Sequence, residues 1–303
     1  MLVSVSFFFH IFFMIFSVIH LLTGIVGNLL IVTVNCRTWI KNKNLSSFDM
    51  ILSSLSIIRC ISLCLMFLYL VISLIFLQSE CPTLVCTIIV STWILVDSCS
   101  LWIMTLLNIF YCVKIANFNH CLFLWLKRNI SLKTPWLLLA CLLVPVSAHL
   151  FILLSKIPNS LGSSKENLRN STMVSTSGSV FFLTSIVLSL SLQFVINLVS
   201  CSLLISSLRR HMQEMQKNAS SFWNPQTKAH VGAMKVMIFF LILYVPYSIA
   251  QLTAFSPSFV RRNYWVRGIT IMVNCAYSPG HTILIILLHP KLKARIKNIL
   301  WCN

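Results

Sequence analysis

Two ionisable side chains lie deep within long apolar stretches of this sequence, Arg59 and Asp97. A charge in hydrocarbon costs about 3 kcal/mol, so such residues usually face a protein interior and take part in function. Trp93 precedes Asp97 by four residues, and Tyr247 and Gln251 repeat that spacing, so on helices each pair shares a face. Aromatic walls with a few fixed polar groups bind small molecules. We predict Trp93, Asp97, Tyr247 and Gln251 as ligand-binding residues. The alternative is that these side chains only pack one helix against another.

Seven apolar stretches could hold these residues in a membrane. Of the 303 residues, 58% are hydrophobic and 9% are charged, whereas soluble globules are about a quarter charged. Each stretch reaches the roughly 20 residues needed to cross a bilayer, and continuous apolar runs favour helices over barrel strands. We therefore predict one all-α membrane domain over residues 1–303, a seven-transmembrane-helix bundle with spans at about 7–35, 49–77, 84–113, 135–155, 178–206, 234–255 and 266–288.

The distribution of charge predicts the orientation of the bundle. Most of the 23 Lys and Arg residues fall in intervals 36–48, 114–134, 207–235 and 289–303, which alternate along the chain. Short basic loops stay in the cytosol, so the N-terminus is predicted to be extracellular and the C-terminus cytoplasmic. The net charge of +18 then points to the lipid bilayer and an acidic protein as partners, and not to nucleic acid. Residues 290–300 are predicted to form a basic amphipathic helix on the inner leaflet.

One glycosylation site is expected on the outer side. The connection at about 156–177 is polar and contains an Asn-Ser-Thr acceptor sequence that begins at Asn170. Similar sequences at Asn44, Asn129 and Asn218 fall on the predicted cytosolic side, where glycan is not added. We therefore predict a glycan at Asn170.

Arg59 allows two interpretations. It could tie its span to the first and seventh spans through Asn28 and Ser278, or it could contact a ligand. An ion pair with Asp97 is a further possibility that depth along the spans leaves open.

The sequence contains no pattern typical of an enzyme. It has neither a nucleotide-binding loop nor a helical His-Glu-x-x-His pair. Intramembrane hydrolysis would require paired Asp residues or a Ser and His set, and Asp97 is the only deep carboxylate. We predict no enzymatic activity, no cofactor and no bound metal.

Several stretches resemble the bitter taste receptor type 2 family. The most specific is Lys-Ile-Ala-Asn-Phe at 114–118, followed by Phe-Leu-Trp-Leu-Lys at 123–127. Shorter matches run along nearly the whole chain, at Asn28, Arg59, Arg209-Arg210-His211, Lys228-Ala229-His230, Tyr244, His281-Thr282 and Pro290-Lys291-Leu292-Lys293. The family lacks the Asp/Glu-Arg-Tyr and Asn-Pro-x-x-Tyr motifs of rhodopsin-like receptors and their disulfide to the second outer loop, and so does this sequence.

The resemblance implies a G-protein-coupled receptor of the cell membrane, multi-pass, that binds small bitter compounds and activates a gustducin-type heterotrimeric G protein. Trp93 matches the family's pocket tryptophan and Tyr247 an aromatic switch position. Asp97 stands where many members have Asn, from which we hypothesise a preference for cationic amines. Structural or switch roles follow for Asn28, Arg59, Tyr244 and His281. The G protein is expected to face Lys114, His120, Lys127, Arg209, Arg210 and Lys235.

Two alternatives remain at this point. A vomeronasal type 1-like chemoreceptor is a related class, although the 114–118 stretch favours the taste family. A membrane transporter is the other alternative, but seven unpaired spans with one deep carboxylate fit the paired halves of transporters poorly.

Overall fold

A computed structural model describes residues 2–116, 118, 120–161, 168–217, 225–254 and 264–301, with the exception of 76–82. Within them the chain is helical and contains no strand. The helices are α1 (Leu2–Asn42), α2 (Ser47–Ile75), α3 (Thr83–Ile115), α4 (Cys121–Leu161), α5 (Leu168–Lys217), α6 (Pro225–Ala254), α7 (Tyr264–Leu288) and α8 (Pro290–Trp301).

Seven of these helices contain an apolar segment long enough to cross a membrane. The segments are Met14–Asn42, Ser47–Ile72, Ile88–Ile115, Phe123–Leu150, Leu183–Arg210, Val231–Ala254 and Gly268–Leu288. The predicted all-α seven-helix bundle is therefore confirmed, whereas the orientation of its ends stays a prediction. We call the end at which α1, α3, α5 and α7 begin the outer end, in keeping with the predicted topology.

The helices extend beyond the spans proposed from the sequence. α4 begins at Cys121, although span four was placed at 135–155. Charged residues mark where a chain leaves hydrocarbon, but Lys and Arg are good helix formers and do not end a helix. α5 begins at Leu168, so Asn170 lies in the first turn of this helix. The sequence had instead indicated a polar connection between spans at this position.

Among the side chains that the structure describes, the core is concentrated toward the inner end of the bundle. Large side chains that are almost fully buried come from each of α1 to α6, and include Leu52, Met104, Leu204 and Phe240. A smaller cluster nearer the outer end joins Leu21, Leu63, Met66 and Cys275 of α1, α2 and α7. Many large apolar side chains instead lie on the outer surface of the bundle, as expected of a protein whose surroundings are lipid.

Glycines allow close approach between helices at three places. A Cβ atom on Gly24 would lie 2.7 Å from the Leu63 Cδ1 atom, and one on Gly27 would lie 3.1 Å from the Thr282 Cγ2 atom. A Cβ atom on Gly232 of α6 would lie 2.8 Å from the backbone carbonyl oxygen of Leu288 on α7. Unlike a flexible side chain, that carbonyl cannot move without its helix.

Replacing Gly232 with Ala is therefore expected to destabilise the folded bundle by roughly 1–3 kcal/mol, because α6 and α7 must separate at their inner ends. The measurement is the free energy of unfolding, or the melting temperature, of the purified protein in detergent. Gly280→Ala is the matched control, since its Cβ would meet the Leu243 Cδ1 atom at an ordinary 3.8 Å. The control should be neutral or stabilising by up to ~1 kcal/mol, as alanine favours a helix. Equal melting temperatures for the two variants would contradict this packing.

The tail helix α8 is attached to the bundle by specific contacts. The Arg295 Nη1 atom lies 3.2 Å from the Asp49 Oδ1 atom at the start of α2. His289, just before α8, stacks on Phe48 with ring centroids 4.6 Å apart. Leu292 and Ile296 are buried on one face of α8. The tail is thus held against the inner end of α2.

Candidate functional site

Asp97 lies at the centre of a buried polar cluster that joins three helices. Its Oδ1 atom accepts a hydrogen bond from Ser62 of α2 at 3.4 Å. Its Oδ2 atom accepts one from the Tyr247 hydroxyl and one from Gln251 Nε2 of α6, the latter at 3.3 Å. Gln251 also donates to the Tyr247 oxygen at 2.6 Å. The carboxylate is therefore held by three donors, and it fixes the two α6 side chains.

A cavity of about 300 Å³ lies beside this cluster, between α3, α4, α5 and α6. Tyr247 and Gln251 form part of its wall, together with Trp102, His149 and Gln193. The rest of the lining is mostly aliphatic. An apolar cavity of this volume with a few polar groups is at the lower end of the range for small-molecule sites.

Trp93 does not line this cavity. It is partly buried and packs against the outer cluster of Leu21, Leu63, Met66 and Cys275. Trp93 and Asp97 still lie one helical turn apart on α3, so a ligand that reached the outer side of Asp97 could meet both. The four residues proposed from the sequence therefore divide into a connected group, Asp97 with Tyr247 and Gln251, and one aromatic residue on the side of α1, α2 and α7.

Arg59 contacts α3 and α7. Its Nη1 atom donates to His281 Nδ1 at 3.1 Å and to the Thr282 hydroxyl at 3.3 Å, and its Nε atom donates to Ser100 at 3.4 Å. Because His281 accepts at Nδ1, a neutral imidazole carries its proton on Nε2. These partners are neutral, and Asp97 is not among them. Arg59 thus ties α2 to α3 and α7, with no ion pair to Asp97 among the contacts that the structure describes.

Asn28 joins α1 to the group formed by Arg59, His281 and Thr282, which we call the Arg59 hub. Its Nδ2 atom donates to the Gly24 carbonyl at 2.8 Å, and its Oδ1 atom lies 3.3 Å from the Thr282 hydroxyl. Ser278, the partner considered from the sequence, takes part through its backbone carbonyl, 2.9 Å from that hydroxyl. Thr282 therefore links Arg59 and Asn28.

Aromatic rings connect the Asp97 cluster with the Arg59 hub. Tyr247 packs on Tyr277 with centroids 4.5 Å apart, and the Arg59 guanidinium carbon lies 5.9 Å from the Tyr277 ring. Phe240 contacts both Tyr244 at 5.4 Å and His281 at 5.6 Å. Because these side chains are in contact, a displacement of α6 would also displace side chains of α7 and α2.

Tyr244 faces α5. Its hydroxyl donates to the Leu190 carbonyl at 2.9 Å and lies 3.4 Å from Gln193 Oε1. Tyr244 shares α6 with Tyr247 and Gln251 but turns its hydroxyl away from Asp97, toward a residue of the cavity wall.

Sequence reasoning missed a second polar network, between α3 and α5. The Asn108 Nδ2 atom donates to Asn197 Oδ1 at 2.7 Å. The Asn197 Nδ2 atom donates to the Thr105 hydroxyl at 3.0 Å and to the Gln193 carbonyl at 2.7 Å. The available signal was the spacing of Gln193 and Asn197, two amides four residues apart within an apolar span.

The basic residues proposed for the G protein lie at the inner end, on several helices. Lys114, His120, Arg209, Arg210 and Lys235 are exposed. Lys127 is partly buried and donates to the Ala116 carbonyl at 3.1 Å, while the Lys114 Nζ atom lies 3.5 Å from the Lys127 carbonyl. The two lysines therefore also brace the connection between α3 and α4.

Comparison with known proteins gives a consistent result. A family model described as "Taste receptor protein (TAS2R)" matches residues 5–303. Taste receptor type 2 member 4 of Homo sapiens is 49% identical over 288 residues, which cover 94% of this chain and 95% of the relative. The proteins of that name from Pongo pygmaeus and Mus musculus are 50% and 44% identical over 288 and 282 residues. These cover 94% and 91% of this chain, and 95% and 92% of the respective relatives.

Proposed function

This chain belongs to the type 2 taste receptor family, and we propose on that basis that it detects small bitter compounds and activates a gustducin-type heterotrimeric G protein. As a member, it is a seven-helix, G-protein-coupled receptor of the cell membrane and not an enzyme. Membership also favours this function over a vomeronasal type 1-like receptor or a transporter.

Within the structure, the observation that supports the proposal is the polar cluster beside the cavity. A compound that occupied the cavity would touch Tyr247 and Gln251, and both side chains are hydrogen-bonded to Asp97. Its binding would therefore change the contacts between α3 and α6. A ligand that binds one arrangement of the helices more tightly than another shifts the population toward it.

We propose that the shift reaches the inner end through α6. Tyr247 packs on Tyr277, and Phe240 contacts His281, which Arg59 holds. Movement of α6 would open the inner face between the exposed residues Lys114, Arg209 and Lys235. An amphipathic helix of the G protein would then enter the opening, as helices commonly do in grooves.

A broad panel of bitter compounds, applied to cells that express the full chain with a chimeric taste G protein, tests the proposal. We expect at least one compound to evoke a calcium response in these cells, and none in cells that lack either the receptor or the G protein. Ion flux that requires no G protein would instead support a transporter. Silence toward the whole panel, with the receptor verified at the cell surface, would contradict the proposal.

The predicted extracellular start of α5 gives a direct test of topology. If Asn170 faces the lumen of the endoplasmic reticulum during synthesis, its Asn-Ser-Thr acceptor sequence receives an N-linked glycan. Asn170→Gln is then expected to abolish the decrease in apparent mass on glycosidase treatment. Asn129→Gln is the matched control, because this acceptor lies on the predicted cytosolic side and should leave the glycan in place. Loss of the glycan in the control alone would reverse the proposed orientation.

A further inference from the structure

The cavity between α3, α4, α5 and α6 is incompletely walled on one side, where it reaches the side of the bundle that faces away from the other helices. Val144 of α4 and Leu188 and Leu192 of α5 line the cavity, yet they are 47%, 68% and 49% exposed. Side chains that both line a cavity and lie on the surface mark its mouth. The mouth therefore lies in a gap between α4 and α5.

In a membrane this gap would face hydrocarbon, because both of its sides lie within the apolar segments. Val144 lies in the α4 segment, Phe123–Leu150, at least about 9 Å from its outer end at 1.5 Å per residue. Leu188 lies in the α5 segment, Leu183–Arg210, at least about 8 Å from its outer end on the same scale. Both positions lie toward the outer end of the bundle, so a molecule in the outer leaflet would meet the gap directly.

The wall of the cavity opposite the gap, which we call the inner wall because it faces the centre of the bundle, offers neutral hydrogen-bonding groups. Gln193 is fully buried there, and Tyr247 and Gln251 are almost so. Ser98 and Ser189 add hydroxyl groups to the lining. Amides and hydroxyls satisfy an uncharged oxygen well, whereas an ion would lose its hydration in this apolar surrounding without full compensation.

We propose that the α4–α5 gap admits uncharged, lipid-soluble molecules with one or two hydroxyl or carbonyl groups from the outer leaflet into the cavity. The inference deepens the proposed function and rests on it for its physiological meaning. It assigns a ligand class to the cavity wall at Gln193, separate from cations that would seek Asp97. The potency of such ligands would follow their partition into the membrane.

Photolabelling of the full chain in lipid nanodiscs tests this inference without a known agonist. The probe is an aryl trifluoromethyl diazirine with a benzylic hydroxyl, which is uncharged and loses N₂ on illumination to give a carbene that inserts into a neighbouring C–H or X–H bond. Mass spectrometry should find label on the buried inner wall, at Gln193. The same diazirine with a trimethylammonium group should label Gln193 at least fivefold less.

Variants at the mouth establish the route. Ala148 is an exposed lining residue, so Ala148→Trp should narrow the gap and lower inner-wall labelling at least fivefold. Leu188→Ala should widen the gap and raise it. Val195→Trp is the control, since Val195 is exposed on the same face of α5 but lies outside the lining, and labelling should not change.

The outcomes separate this inference from the proposed function. An unlabelled inner wall, equal labelling by the charged probe, or labelling indifferent to both mouth variants would overturn lateral entry. Responses to bitter compounds could persist in each of those cases. Labelled Gln193 in a receptor that answers no bitter compound would leave the lateral site standing and overturn the function instead.

Discussion

Asp97→Asn is expected to lower the potency of cationic amine agonists at least ~10-fold and to leave that of uncharged agonists within about threefold. The carboxylate accepts from Ser62, Tyr247 and Gln251, and one of its roughly four acceptor positions remains for an ammonium group. At 4 Å and an effective dielectric constant of 20, the attraction is about 4 kcal/mol, part of which desolvation offsets. The asparagine keeps an acceptor but loses the charge.

Concentration–response curves for amine and uncharged agonists, measured on receptors matched for surface density, provide the test. Tyr247→Phe is the companion variant, because it removes a hydroxyl bound to Asp97 and preserves the charge. It should weaken both classes of agonist to a similar extent. If Asp97→Asn also weakened both classes equally, Asp97 would act by positioning Tyr247 and Gln251 and not by pairing with a cation.

Asn197→Leu is expected to destabilise the receptor by about 2 kcal/mol, a roughly 30-fold change in the unfolding equilibrium. The substitution preserves size but leaves the Asn108 amide without its partner on α5 and the cavity wall without the Asn197 donor, while the Thr105 hydroxyl keeps only its bond to the Leu101 carbonyl. Each buried group left unpaired costs about 1 kcal/mol or more, and less only where the membrane-embedded unfolded state finds partners.

Thermal unfolding measures this loss of stability. A fluorogenic maleimide reports unfolding by reacting with buried thiols, such as Cys201 and Cys275, as they become exposed. Asn129→Leu is the control, since among the described contacts Asn129 donates to the Trp125 carbonyl of its own helix, at 3.0 Å. The double variant Asn108→Leu with Asn197→Leu should be less destabilised than the sum of the single variants. Strict additivity would show that the two amides do not interact.

The sequence predicted the identity of the helices and the faces of their polar residues better than it predicted partners. Helical spacing placed Tyr247 and Gln251 together, and the structure brings both to Asp97. The same spacing placed Trp93 beside Asp97, but which neighbours a face meets depends on the packing of other helices. Trp93 accordingly packs against residues of α1, α2 and α7.

Arg59 shows the same distinction. Its burial and its tie to α7 were foreseeable, because a charge in hydrocarbon must be satisfied by neighbouring helices. The choice of His281 and Thr282 over Ser278 follows from the rotation of α7, which a single sequence does not determine. Neutral residues were harder still: the bond between Asn108 and Asn197 joins amides 89 positions apart, and no local pattern relates them.

The attachment of the tail has a practical consequence for anyone who shortens or tags the receptor. A chain cut before Pro290 would uncover the apolar surface beneath Leu292 and Ile296 and deprive the Asp49 carboxylate of its Arg295 partner. Because Asp49 stands in the first turn of α2, the loss would loosen a helix that begins almost 250 residues earlier in the chain. Reporter proteins are therefore better joined after residue 303 than exchanged for residues 290–303.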